Sequence, residues 1–320
     1  EIVSRDWSSD VCSSDLFAKN SIITSMKFRL FFLTLLLATN PFANPNIVVS
    51  IKPIHSIVSN LTQGVSTPKL LLSSKQSAHH AHLKPSQLSH LEQADLVIIV
   101  HPDFEQGLSK SIRNIPAEKI LTVDQSMTSK HDEHDEHDEH DEHDEHDEHD
   151  DKNHHSWLSI QHIQQFAQKL GDTLIQIDPK NKATYQSNLR KFSQKLTALK
   201  LSLQQQLSNH ANQSLITYNN AFEYFIKSQQ LKQIGSVSQR HGENLSIFKI
   251  LKAKKIIQKQ QTSCLLFTTE IPQKRINTLT EGLVINTAEI DIIGFDIQPG
   301  ADHYFKLMQN ITQKVEQCLK

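Results

Sequence analysis

The sequence is short of long apolar runs, arginine and cysteine, and each shortage removes a class of protein. One apolar run stands out in 320 residues, Leu30–Ala38. It is far shorter than the roughly 20 residues a membrane-crossing helix needs, so a multi-span membrane protein is excluded. Arginine occurs six times and never in a cluster, so nucleic acid is not an expected partner. No His-Glu-x-x-His spacing and no nucleophile motif is present, which argues against a hydrolase. Cysteine occurs three times, too few for a disulfide-stapled scaffold. What is there, at 37% hydrophobic residues, is enough for a core of one large domain or two of about 140 residues.

The formal charge of -2 conceals an asymmetry. Residues 131–151 contain 14 of the 35 acidic residues and 7 of the 19 histidines, with no Lys or Arg, so the rest of the chain is +12. Within that block His131-Asp132-Glu133 repeats six times and ends at His149-Asp150-Asp151. A period of three matches neither helix nor strand and builds no core, so a disordered loop over 131–153 is expected. His131, His134, His137, His140, His143, His146 and His149, interleaved with carboxylates, make a dense array of donors for borderline divalent metals. The alternatives are a solvated acidic linker, or a passive metal buffer in which the loop alone binds.

Met26 opens a secretory pattern: Lys27 and Arg29, the short run Leu30–Ala38, then Pro41-Phe42-Ala43. Residues 26–43 are expected to be a removed signal peptide, and residues 1–25 non-native upstream sequence. Setting Cys12 aside leaves Cys264 and Cys318 in an exported chain. In an oxidising compartment such a pair most simply forms a disulfide, two buried thiols being the alternative.

Apolar runs alternate with helical patterns on both sides of the block. Ile47–Ile51, Leu70–Leu72, Leu96–Val100, Ile120–Val123, Ser214–Tyr218, Cys264–Thr268 and Leu283–Thr287 read as short strands. Pro85–Ala94, Phe222–Lys227 and Ile247–Lys259 read as helices. The alternation predicts α/β architecture with parallel sheets. Tyr185, Leu189, Phe192, Leu196, Leu199, Leu203 and Leu207 form one apolar stripe, opened by Asp178-Pro179 as N-cap and first-turn proline. A helix over 178–210 would be roughly 45 Å long, enough to tie two lobes together.

An ordered series of motifs resembles the substrate-binding proteins of zinc-uptake ABC transporters (ZnuA type). It comprises Ser50-Ile51-Lys52-Pro53 on the first strand, Ser77-Ala78-His79-His80-Ala81-His82-Leu83-Lys84-Pro85-Ser86, and the His/Asp-rich insertion. His155-Ser156-Trp157-Leu158-Ser159, Ala221-Phe222-Glu223-Tyr224-Phe225, Cys264, Asp291 before Gly294, and Cys318 complete it. The resemblance implies two lobes, each a parallel sheet flanked by helices, joined by one long helix, with metal in the cleft between them. It assigns 44–130 and 154–177 to the first lobe, 178–210 to the helix and 211–320 to the second lobe. His79 and His155 fall on histidine ligands, Asp291 on the carboxylate ligand, and Cys264 and Cys318 on a disulfide. Asn219 stands where the family has a third histidine, and Ala78 where some members carry an acidic residue. The fourth ligand is therefore open between the Asn219 amide oxygen, His241, a water and a loop histidine. His55 and His101 follow predicted strands without being selected.

The function implied is a monomeric, non-enzymatic periplasmic protein that captures Zn(II) and delivers it to a membrane ABC permease. Affinity should fall in acid as imidazoles protonate. A manganese-binding member of the same family is the alternative, since an oxygen-richer donor set suits Mn(II). A metal-dependent hydrolase is the reading from another class.

Overall fold

The computed structural model describes residues 44–72, 76–124, 153–238 and 246–320. The expected leader, the histidines at 131–149 and His241 lie outside the described residues. Two four-stranded sheets, all parallel, form the frame. The first contains β1 (Ile47–Val49), β2 (Lys69–Leu70), β3 (Leu96–Ile99) and β4 (Ile120–Thr122) in the order β2-β1-β3-β4. The second contains β5 (Ser214–Thr217), β6 (Lys232–Ser236), β7 (Cys264–Thr268) and β8 (Asn286–Ile290) in the order β6-β5-β7-β8.

Helices cover the sheets: α1 (Lys52–Leu61), α2 (Pro85–Glu92), α3 (Ser109–Ile112), α4 (Ile160–Ile177), α5 (Lys182–Leu207), α6 (Glu223–Gln229), α7 (Ile247–Gln260), α8 (Gln273–Thr280) and α9 (His303–Leu319). The two central strands of the first sheet, β1 and β3, are buried along their length, as continuous apolar runs in a covered parallel sheet should be, while the edge strands β2 and β4 are only partly covered. In the second sheet the period-two alternation is visible. Leu215, Cys264 and Leu266 face the main core, whereas Ile216, Leu265 and Phe267 face a second core closed by Ala253, Ile257, Ile276 and Leu279.

Four readings change in detail. Ser50–Pro53 is not on the first strand: β1 ends at Val49, and Pro53 sits in the first turn of α1, where its missing N–H costs nothing. The polar strand β6 was not expected. The strand expected at 283–287 begins three residues later, because Leu283 and Ile285 pack on the second core before it starts. Asp178 does not cap the long helix; its carboxylate accepts from the Tyr185 hydroxyl (2.8 Å) and the Asn181 amide (2.7 Å).

The long helical segment itself stands as expected. A 3-10 turn at Pro179–Asn181 leads into α5, and another at Ser208–His210 ends it. Tyr185, Phe192, Leu196, Leu199, Leu203 and Leu207 are buried along one side. The lobes are sewn together elsewhere as well. Buried Lys52 donates to the carbonyls of Phe295 (2.7 Å) and Ile297 (3.2 Å), and Ser56 and Asn60 both donate to Ala301. Cys264, at the start of β7, and Cys318, near the end of α9, are joined by a disulfide with a Cα–Cα distance of 5.4 Å.

Candidate metal centre

Both sheets bring their carboxyl ends, and the switch between β1 and β3 or β5 and β7, to the loops that hold the predicted ligands. This is where α/β sheets bind ligands in general. His79 lies on the loop after β2, His155 follows β4, and Asp291 follows β8 immediately.

Each residue is fixed by neighbours that the local sequence dictates. The His79 ring meets the edge of Phe104 at 4.5 Å between centroids, and Phe104 also meets His155 (5.4 Å) and Trp157 (5.1 Å). The loop carrying His79 lies close to the 106–108 turn because residue 107 is glycine: a Cβ there would sit 2.1 Å from the Ala81 carbonyl oxygen. His155 is buried, and its Nδ1 lies 2.8 Å from the Asn153 side-chain oxygen, which also accepts from the His155 backbone N–H. That oxygen can only accept, so Nδ1 carries the proton and Nε2 carries the lone pair a metal requires. The Asn153 amide in turn donates to the Asn220 carbonyl (2.7 Å) in the second lobe.

Asp291 is held by three backbone N–H groups. Its Oδ1 accepts from Ile293 (2.9 Å) and Gly294 (2.7 Å), and Oδ2 from Phe295 (2.6 Å). Oδ2, which accepts only one of these bonds, keeps lone-pair capacity for an ion. The turn needs Gly294, at φ +76°, and beneath it His303 faces the Ile293 carbonyl oxygen at 2.8 Å. Trp157 Nε1 donates to the Ile292 carbonyl (3.0 Å), so the segment after His155 is bonded directly to the segment after Asp291.

His79, His155 and Asp291 line one cavity of about 20 Å³, with Phe104, Thr268 and Glu270 on its wall. That volume exceeds the ~10–15 Å³ a single water needs, so it admits one ion or one water. The ring centroids of His79 and His155 are 6.3 Å apart. Asn219 is not on the cavity wall. It is fully buried, and its side-chain oxygen accepts from Ala221 N–H at 3.3 Å, capping the turn at Asn220–Phe222. Glu270 was missed by sequence reasoning, because a lone exposed glutamate after a strand carries no motif. His80, His82 and His90 are exposed, and His162 packs edge-on to Tyr224. Buried His55 faces the Pro68 carbonyl oxygen at 3.0 Å.

Behind Phe104 the buried Glu105 carboxylate accepts from the N–H groups of Val100 (2.9 Å) and His101 (3.2 Å). Burial pushes its carboxyl up to about 7, against the pull of the Ser50 hydroxyl and those two N–H groups.

Comparison with known proteins gives the family. The family model described as zinc-uptake complex component A, periplasmic (ZnuA), matches residues 47–318. The high-affinity zinc uptake system protein ZnuA of Haemophilus ducreyi is 32% identical over 307 residues, covering 91% of this chain and 99% of the relative. Its counterpart in Brucella abortus is 30% identical, covering 85% and 91%. A solved structure of a ZnuA deletion mutant with zinc bound shares the fold, with a TM-score of 0.67 at 18% identity, covering 86% of this chain and 98% of that one. The chain therefore belongs to the ZnuA family, the periplasmic component A of zinc-uptake complexes.

Proposed function

We propose that this chain is exported, binds Zn(II) reversibly between its lobes and releases it to a membrane ABC permease, acting as a monomer. The observation that carries the reading is the shared cavity: residues as distant in sequence as 79, 155 and 291 line one ion-sized space at the carboxyl ends of both sheets. Zinc accepts imidazole and carboxylate donors in a four-coordinate set. His79, His155 and Asp291 are the first three donors of the proposal, and Glu270 on the same wall is the fourth. Among the described residues no helix is long and apolar enough to cross a membrane, which agrees with a carrier that works beside its permease. High-affinity zinc uptake is the role that the relatives' names describe.

A second reading, Mn(II), rests on one observation: both residues that the second lobe offers are carboxylates, and oxygen-rich sets suit harder ions. The test is a zinc and manganese competition titration of the full chain and of His79→Ala. Zinc is expected to prevail, and His79→Ala to lose at least about 100-fold in affinity for the tight site, or about 2.7 kcal/mol. Undiminished tight binding in His79→Ala would refute the proposed centre.

A further inference from the structure

Among the described residues, one group brings three metal-ligating atoms within 4.8 Å of one another, and it is not the cavity above. It consists of His101, Asp103 and His154. The imidazoles of His101 and His154 lie parallel, 4.0 Å apart with 7° between planes. Asp103 Oδ2 is 3.4 Å from His101 Nδ1, and Asp124 Oδ2 is 2.7 Å from His154 Nδ1. We propose that these residues form a second site for a borderline divalent cation such as Zn(II), an entry site next to the central one.

The surroundings of the two rings separate them from structural histidines in the same protein. His55 and His303 are buried and faced by backbone carbonyls, the usual way of satisfying a core imidazole. His101 and His154 are faced by carboxylates and by each other, although His101 Nδ1 also accepts from the Asp103 backbone N–H at 3.2 Å. The Asp124 carboxylate accepts from the Nδ1–H of His154, which leaves the Nε2 lone pair for a metal, the carboxylate–histidine arrangement that orients metal ligands. The fold pins the group from three sides. Glu105 fixes the turn after β3 through Val100 and His101, and Asp124 N–H bonds the Val100 carbonyl at the end of β4. His154 is held by the Asp124 carboxylate.

Two imidazoles and one carboxylate leave a coordination position open, as exchangeable zinc sites do. Asp103 is 77% exposed, so an ion reaches the group from solvent. His154 is the chain neighbour of His155, and in the sequence Asp124 and His154 stand on either side of the stretch that contains the histidine repeat. An ion held here is thus one residue from a proposed central ligand.

Equilibrium dialysis with zinc tests this on the full chain with the seven repeat histidines changed to glutamine. Two zinc ions per chain are expected. His79→Ala should remove one, while Asp103→Asn, at a position too exposed to affect folding, and His101→Asn should each weaken the other at least about tenfold. Asp124→Asn should weaken it by about 10–100-fold without supplying a ligand itself. One zinc per chain in the parent, or two that His101→Asn and Asp103→Asn leave untouched, would overturn the second site. Loss of a zinc in those variants but none in His79→Ala would uphold it and count against the central centre instead.

Discussion

The two lobes repeat one strand order yet bring opposite chemistry to the cleft. The first offers neutral donors, His79 and His155, packed about Phe104; the second offers anionic ones, Asp291 on three backbone N–H groups and Glu270. Neither lobe alone has the two imidazoles and two carboxylates of the proposed set. An ion that needs both kinds of donor is bound only while the lobes face each other, so affinity and lobe arrangement are linked. The lobes also differ in construction: among the described residues a disulfide ties the second and none ties the first.

The largest effect should break this difference in construction. Removing the disulfide with Cys264→Ala and Cys318→Ala opens a closure of 54 residues and should cost up to about 4 kcal/mol on the chain-entropy view. Urea unfolding should show the second lobe yielding before the first; simultaneous loss of both at an unchanged midpoint would contradict it. Next comes the donor asymmetry. Glu270→Gln should lower zinc affinity about tenfold, about 1.4 kcal/mol, in a competition titration. An unchanged affinity would strip Glu270 of its proposed role and return the fourth position to a water or a histidine.

A smaller effect concerns the seam. Trp157→Phe keeps the ring packing but deletes the bond to the Ile292 carbonyl, which should cost about 1 kcal/mol in thermal or urea unfolding. The smallest is a pH effect. Burial is the main cause holding His55 and His303 below the usual 6.5, with the other's charge or that of Lys52 adding to it. Because the unfolded chain takes up these protons first, their stabilising contribution is complete above about 6.5 and is lost as pH falls below it. Glu105, raised to about 7 from the usual 4.5, works in the opposite sense, its contribution lost as pH rises between those values. The histidine part is therefore read as a difference. From pH 7.5 to 5.5, His303→Gln should lose less stability than the parent, and equal losses would contradict the assignment.

Much of the fold was legible because parallel strands covered on both faces are plain apolar runs, as in Ile47–Val49, Leu96–Ile99 and Cys264–Thr268. The stripe from Tyr185 to Leu207 announced the long helix for the same reason: burial on one face enforces the period. β6 was not legible, since Lys232–Ser236 is an edge strand with no fully buried residue and a glycine within it. Likewise His79, His155 and Asp291 stood out through their motifs. Glu270 did not, being a single acid on a loop. The group of His101, Asp103 and His154 was invisible because His154 lies some 50 residues from the other two, and it exists only through the pairing of β3 with β4 and the return of the chain at His154.

In the proposed centre one zinc ion is held by imidazoles from the first lobe and carboxylates from the second. X-ray absorption at the zinc edge, on the full chain with the repeat histidines changed to glutamine and loaded with one equivalent of zinc, tests it most directly. Two imidazole nitrogens with carboxylate oxygens are expected in the parent, one imidazole fewer in His79→Ala, and loss of carboxylate oxygen in Asp291→Ala. A zinc environment unchanged by either substitution would contradict it.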